Sequence, residues 1–240
     1  MGETTLRRNL WKEDFLENEP PFWPCPACGR ETLKPIPRSL SVLEPSGYKH
    51  TELSPFEYTF RFKQFFKCSV DECGDIVGVA GDAELVVNSD PTRDEGDDYI
   101  YRLFPMAVHR GPPIINLPAE TPDSVREELE TAFKLFWTDL GSCANKMRIS
   151  VERALDELGI AAAHTLNLRI KAFETIDPGH AQTFHALREV GNVGSHLGDN
   201  TRETVLDAFE VYEDALRNLF GGHRDRIEAL KTKIRAVKGK

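Results

Sequence analysis

Four cysteines arranged in two pairs are the residues whose types and spacing most directly suggest chemistry. Two residues separate Cys25 from Cys28, four separate Cys68 from Cys73, and a glycine follows each pair. A tight turn of this kind can aim two thiolates at one tetrahedral zinc ion about 2.3 Å away. Four thiolates would fill the coordination sphere of the ion. The pattern therefore predicts a structural zinc ribbon and not a catalytic metal.

A second interpretation of the cysteines stays open. Free thiols, or a redox pair at Cys25 and Cys28, would use the same residue types. A redox pair with this spacing usually lies in a strand–helix context, which the flanking sequence lacks. The fifth cysteine, Cys143, falls in the helical half of the chain and is expected to be an ordinary small helix residue.

The second set of candidate residues lies in the stretch ALREVGNVGSH, residues 186–196. Arg188, Asn192 and His196 are four residues apart, so a helix would place them on one face. This face is either a site or only the solvated side of an amphipathic helix. The nearby Gly191 and Gly194 each cost a helix about 1 kcal/mol relative to alanine. Glycines three residues apart usually let another helix approach, and we expect that helix to belong to a second copy of the chain.

Electrostatics favours the first interpretation of this face. His196 falls at the predicted C-terminal end of the helix, where the helix dipole favours its protonated form. Arg188 and a protonated His196 would repel each other unless an anion lay between them, and a phosphate would serve. We therefore predict one solvent-accessible polar cleft. If carboxylates such as Glu152 or Asp156 bind these three side chains instead, the face is only the solvated side of the helix.

Charged residues also alternate in RISVERALDELG, where Arg148, Glu152 and Asp156 share a helical face. A ladder of intrahelical salt bridges, each contributing about 0.3–0.5 kcal/mol, explains this spacing. The alternative is that Glu152 or Arg153 points toward Arg188, Asn192 and His196 and completes a polar pocket.

The elements that must position these residues change character near residue 120. The first half reads as short strands, at 56–62 (FEYTFRF), DIVGVAG and AELVV, with an acidic loop at 88–98 and an extended, proline-rich linker at 104–118. The second half reads as helices. Five helices are expected. The first runs from an N-cap at Thr121 to Leu140, and the next two cover about 142–158 and 165–174. The fourth runs from Asp177 to about Gly198, and the fifth runs from a capping box of Asn200 and Glu203 to Gly221.

Charge is distributed unevenly over the 240 residues. The formal net charge is −9, and residues 223–240 hold seven Lys and Arg against two acids, so the rest of the chain carries −14. An acidic body is a poor general surface for nucleic acid, although a local basic patch could still form. The basic tail is either a solvated helix or a segment that contacts RNA or a partner protein. No apolar run approaches the ~20 residues that span a bilayer. The N-terminus lacks a signal sequence, so we expect no membrane association and a cytoplasmic location.

Several motifs occur in an order that resembles a known family. They are FWPCPACGRETL, the later cysteine pair, INLPAETPDSVREELETAF, RISVERALDELGI, TLNLRIKAF and ALREVGNVGSH. Over residues 22–220 they are similar to a bacterial domain family of unknown function that occurs alone, often behind a zinc ribbon. It is also found fused to restriction-enzyme subunits and other phage-defence proteins. The family has been grouped with the HEPN superfamily of all-helical, commonly dimeric domains, many of which are metal-independent ribonucleases with an Arg-x4–6-His motif.

This resemblance implies a specific chemistry for the polar helix face. His196 would act as general acid and base, Arg188 would stabilise the charged phosphorane, and two copies would assemble one site across a dimer. The sequence departs from the family motif at one position. The common form is Arg-Asn-x3-His, whereas here Gly191 precedes Asn192, and seven residues separate Arg188 from His196.

Together these observations predict an α+β protein with three parts: a zinc-ribbon and β domain over 20–110, a HEPN-like helical domain over 119–222, and a basic tail over 223–240. The first functional hypothesis is a defence-associated, toxin-like, homodimeric protein that cleaves or binds RNA without a catalytic metal through Arg188, Asn192 and His196. The second is a non-catalytic dimeric adaptor that docks a partner protein or nucleic acid through its zinc ribbon and tail.

Overall fold

The fold was derived from a computed structural model that describes residues 6–30, 32–45, 54–90, 92, 98–196 and 200–238. For residues 193–196, 237 and 238 only the backbone is described. The chain divides into two compact units, Arg7–Ile114 and Ile115–Lys240 together with Met1–Leu6. The first unit holds an antiparallel sheet and the second is helical. Among the described residues, no helix is long and apolar enough to cross a membrane.

The described residues of the sheet unit form six strands, which pair in the order β1-β6-β5-β4-β2, with β3 also on β4. All the pairs are antiparallel. The strands are β1 (Phe15–Leu16), β2 (Leu33–Pro35), β3 (Ser41–Leu43), β4 (Phe60–Cys68), β5 (Ile76–Val87) and β6 (Tyr99–His109).

Strand β4 shows the alternation that the sequence predicts, but it begins later than expected. Its side chains alternate between buried and exposed from Phe60 to Cys68, as a half-buried antiparallel strand requires. The first part of the predicted segment instead forms a 3-10 turn at Pro55–Glu57, capped by Ser54. The proline, together with the hydrogen bond from the backbone N–H of Ser54 to Glu57, favours a turn over an extended start.

Two predictions for this unit are wrong. DIVGVAG and AELVV form one strand, β5, and residues 104–109 of the expected linker belong to β6. The register shifts between Ala80 and Gly81, and Gly81 lies opposite Pro105. A side chain at Gly81 would fall on the carbonyl oxygen of Phe104, so the absence of a side chain at this position lets β5 continue opposite a proline. Most of the predicted acidic loop at 88–98 lies outside the described residues.

The described part of the second unit contains six helices: α1 (Asp123–Leu135), α2 (Leu140–Glu157), α3 (Leu166–Glu174), α4 (Pro178–His196), α5 (Arg202–Leu219) and α6 (His223–Lys238). Their aromatic core is formed by Phe133, Phe136, Phe173, Phe184, Phe209 and Tyr212, all buried. A buried hydrogen bond from the Ser150 hydroxyl to the Tyr212 hydroxyl, 3.0 Å long, ties α2 to α5.

Two predicted helix caps are wrong. Pro122, and not Thr121, is the N-cap of α1, and the Thr121 side chain is buried. Thr201 caps α5 by accepting a hydrogen bond from the N–H of Thr204 at 3.1 Å. Asn200 instead donates its side-chain amide to the carbonyl of Val190 at 3.1 Å, so it fastens the end of α4 to the start of α5.

Gly191 lies where α4 comes close to α2. A Cβ at this position would lie 2.6 Å from the Cβ of Arg148 and 3.0 Å from the carbonyl oxygen of Ala144. The glycine therefore admits a helix of its own chain, and not the second copy that the sequence led us to expect at this residue. Gly194 has no described environment.

Because of this contact, we predict that replacing Gly191 by alanine destabilises the protein, although helix propensity alone favours alanine. Alanine is about 1 kcal/mol better than glycine inside a helix, but at Gly191 the added methyl group would push α2 and α4 apart. Gly191→Ala is expected to lower the free energy of unfolding by about 1–3 kcal/mol, as overpacking does. Denaturant unfolding measures this change.

The matched control is Gly179→Ala in the first turn of the same helix. A Cβ there would meet only the Asp177 carboxylate oxygen, at an ordinary 3.6 Å, so the variant should be at least as stable as the wild type, with a gain of up to about 1 kcal/mol from helix propensity. A Gly191→Ala protein as stable as the control would contradict the close approach.

Candidate metal centre and polar face of helix α4

The four paired cysteines come together at one end of the sheet. Cys25 and Cys28 lie in the turn that precedes β2, Cys68 is the last residue of β4, and Cys73 lies in the turn before β5. Pairing of Leu33 in β2 with Cys68 brings the first turn beside the end of β4. All four ligand atoms lie within 4.8 Å of one another.

The sulfur–sulfur distances fit a shared metal ion better than a disulfide. The Sγ atoms of Cys25 and Cys73 are 3.7 Å apart, as are those of Cys28 and Cys68. A disulfide needs about 2.05 Å, and all five cysteines are free thiols. The edge of a tetrahedron of sulfurs about 2.3 Å from zinc is about 3.8 Å long. The donor set and the spacing therefore fit one tetrahedral, thiophilic ion.

Both turns are held by the same pattern of backbone hydrogen bonds. The N–H of Cys25 donates to the carbonyl of Arg30 at 2.7 Å, and that of Cys68 donates to Asp75 at 2.8 Å. Gly29 and Gly74, with φ of +70° and +59°, supply the left-handed residue that ends each turn. In the second turn Gly74 bonds to Val70 and not to Cys68, because the wider spacing leaves Cys68 in the strand.

Hydrogen bonds around the sulfurs favour negative charge on Cys68. Burial raises the pKa of the Cys25 thiol to about 12. Burial also raises that of Cys68, but the hydroxyl of Thr32, 3.1 Å from its Sγ, and further hydrogen bonds outweigh it and lower the pKa to about 7. Sequence reasoning missed Thr32, because it joins the centre only through the pairing of β2 with β4.

The polar face of α4 consists of Arg188, Asn192 and His196 on one continuous helix, Pro178–His196. The Arg188 side chain is 23% exposed and its guanidinium lies 3.3 Å from the carboxylate of Glu189. Asn192 is exposed. His196 is the last residue of the helix, and its side chain lies outside the described part of the chain. His196 is eight positions after Arg188 along the helix, which corresponds to a rise of about 12 Å.

The nearby carboxylates are occupied by arginines of the helical unit. Arg148 pairs with Glu152 at 2.7 Å within α2, as the intrahelical ladder predicts. Asp156 accepts from Arg169 of α3 at 2.6 Å, and Arg153 lies 4.0 Å from Glu128 of α1. Among the described contacts, Glu152 and Asp156 do not bind Arg188 or Asn192.

One further residue of this face was missed from the sequence. His185 is three residues before Arg188, so it lies on the same side of α4, and it is half-buried. His185 therefore extends the row of polar side chains by one helical turn toward the N-terminus of α4. The face is therefore longer than the motif that revealed it.

Two family models match the chain, one in each unit. Residues 130–238 match a domain of unknown function, DUF4145, and residues 13–105 match a second, DUF8608. The first match includes α6, so the basic helix is part of the matched domain. No curated protein and no solved structure matches the chain.

The metal centre generates a prediction about metal content. Purified protein is expected to hold one zinc ion per chain by elemental analysis, and Cys68→Ser to hold less than half, because three thiolates and a hydroxyl bind zinc poorly. The control is Cys143→Ala, which removes a buried thiol from α2 and should leave the zinc in place. Equal loss of metal in both variants would contradict a site built from the two pairs.

The Thr32 hydrogen bond generates a second prediction. Thr32→Val keeps the shape of the side chain and removes the hydroxyl next to Cys68. Zinc should still bind with one ion per chain, but about 10–100-fold more weakly, as is usual when a ligand loses its outer hydrogen bond. Competition with a chromophoric chelator measures the affinity. An unchanged affinity would show that Thr32 does not act on the thiolate.

Proposed function

We propose that the helical unit is a HEPN-like domain that binds RNA along the polar face of α4 and cleaves it without a catalytic metal. The zinc ion held by Cys25, Cys28, Cys68 and Cys73 has only a structural role. The observation that carries the proposal is that Arg188, Asn192 and His196 share one face of an unbroken helix. The carboxylates of Glu152 and Asp156 in α2 are paired with arginines.

The charges along this face suit an RNA phosphate. Arg188 supplies a planar guanidinium that can hold two phosphate oxygens, and its Nε is buried without a hydrogen-bond partner among the described residues. The only carboxylate described near it belongs to Glu189, which is 68% exposed. An exposed pair of this kind contributes little, so a phosphate can replace Glu189 at low cost.

The cleavage we propose needs the ribose 2′-hydroxyl of the RNA and no other reactant. His196 takes the proton of the 2′-hydroxyl, the 2′-oxygen forms a bond to phosphorus, and the bond from phosphorus to the 5′-oxygen breaks. A second protonated histidine gives its proton to the leaving 5′-oxygen. The products are a 2′,3′-cyclic phosphate and a free 5′-hydroxyl, and DNA is not cleaved because it lacks the 2′-hydroxyl.

A homodimer supplies the second histidine. His185 and His196 of one chain are eleven residues apart, a rise of about 16 Å along the helix, which is too far for both to reach one phosphate. Two copies of α4 that face each other bring His196 of each chain to a shared site. The resemblance to a phage-defence family leads us to place this activity in the bacterial cytoplasm as a toxin-like response.

A non-catalytic dimeric adaptor is the second candidate function. The observation that favours it is Gly191, which stands where the family motif has arginine and is required for the close approach of α2 to α4. A domain that has glycine for helix packing in place of the motif arginine could still bind RNA or a partner protein without cleaving RNA. The same experiment separates the two candidates.

The test is incubation of the purified protein with total RNA and with a labelled single-stranded RNA in buffer containing EDTA. The zinc content of the protein is checked afterwards, since loss of the structural ion would unfold the sheet unit. We expect products with 2′,3′-cyclic phosphate ends. His196→Ala should lower the rate at least 100-fold, a typical contribution of acid–base catalysis, with an unchanged melting temperature.

The control is His164→Ala, an exposed histidine in the connection between α2 and α3, which should leave the rate unchanged. Binding of the RNA without cleavage, weakened by Arg188→Ala, would favour the adaptor. Activity that persists in His196→Ala would overturn the proposed mechanism.

A further inference from the structure

Helix α6 exposes apolar side chains that a helix of a compact unit normally buries. Leu230 is 43% exposed and Ile234 is 58% exposed, while Ile227 is half-buried. The helix follows α5, and its described side chains are exposed except His223 and Ile227, which are half-buried. It is also fastened at its start, where Arg224 pairs with Asp177 at 2.9 Å. The apolar side of α6 is thus presented to solvent by a helix whose base is fixed.

The spacing of these side chains is that of a helix–helix seam. Ile227, Leu230, Ile234 and Val237 fall at intervals of three, four and three residues, which are the a and d positions of a heptad repeat. A strict a/d row is narrow, unlike the broad apolar face of a helix that lies on a membrane. The stripe therefore fits a second helix and not a lipid surface.

The residues that flank the seam are all basic. With Ile227 and Ile234 at position a, the e and g positions of α6 hold Arg226, Lys231, Lys233 and Lys238, together with Arg224, which pairs with Asp177. Side chains at e and g meet those of the partner helix and set the choice of partner. A second α6 would place cations opposite cations, which opposes pairing of α6 with itself.

We propose that α6 is a docking helix for an acidic amphipathic helix of a partner protein, which carries apolar residues at a and d and carboxylates at e and g. Isoleucine at a with leucine at d favours a parallel coiled coil of two helices. The ion pair between Lys231 and Glu228 at 2.6 Å joins two residues that are more than half exposed, so a partner carboxylate can replace Glu228 at little cost. This inference uses no residue of α4 and is independent of the RNA chemistry proposed above.

The experiment measures binding of the full chain to two designed, fluorescein-labelled 21-residue peptides. Both have isoleucine at a and leucine at d; one carries glutamate at every e and g position and the other carries lysine. We expect fluorescence anisotropy to show at least tenfold tighter binding of the glutamate peptide, with a preference that declines as salt rises. Equal binding of the two peptides, or binding of neither, would overturn the proposal.

Variants of α6 distinguish the contribution of the apolar row to peptide binding from that of the flanking basic residues. Ile234→Ser should weaken binding of the glutamate peptide at least tenfold, and the double variant Lys231→Glu, Lys233→Glu should prefer the lysine peptide. Ile176→Ser is the matched control, because Ile176 is 70% exposed and lies outside α6. Its binding should equal that of the wild type.

Three outcomes would assign α6 to another partner and overturn the proposal. The first is a homodimer in light scattering that Ile234→Ser dissociates. The second is stronger binding to phosphatidylserine vesicles than to the glutamate peptide. The third is RNA binding that the double variant abolishes while the glutamate peptide does not bind. Retained RNA cleavage by Ile234→Ser would show that a failure here leaves the proposed function untouched.

Discussion

The close approach of α2 and α4 at Gly191 is the contact on which the helical unit depends. A methyl group there would collide with the backbone of α2 and the root of the Arg148 side chain, so the two helices can meet only because the residue has none. The same contact fixes the rotation of α4. With Gly191 turned toward α2, Arg188 lies at the edge of the buried side and Asn192 in solvent. Packing and the candidate site are therefore set by one residue.

A second constraint governs the sheet unit. The first cysteine pair precedes β2, and the second consists of the last residue of β4 and a residue of the turn before β5, so an ion bound by both pairs would join segments that are distant along the chain. An ion bound only by the folded arrangement adds its binding free energy to the stability of that arrangement. Strands β4 and β5 at this end are long, but β2 has only three residues. A metal ion bound by both pairs would therefore fasten the first cysteine turn to the sheet more firmly than the short strand β2 does alone.

The sequence allowed the cysteine centre and the helices to be predicted because their signals are local. Two cysteine turns ending in glycine, and apolar residues at helical spacing, do not depend on distant contacts. The errors arose where a distant contact decides the outcome. The N-cap of α5 moved from Asn200 to Thr201 because the Asn200 amide binds Val190 of α4. The expected linker at 104–118 lost its first part to β6 because Gly81 on the neighbouring strand accommodates Pro105. The contact of Thr32 with Cys68 and the packing role of Gly191 could not be predicted from the sequence for the same reason.

We propose that α4 is the surface on which the protein meets RNA, and RNA binding by α4 can be tested without relying on cleavage. The most direct measurement is photo-crosslinking of the full chain to single-stranded RNA containing 4-thiouridine, followed by mass spectrometry of the adducts. We predict adducts concentrated in residues 185–196, reduced in Arg188→Ala. Adducts confined to α6 or to the sheet unit, with α4 unmodified, would contradict the account.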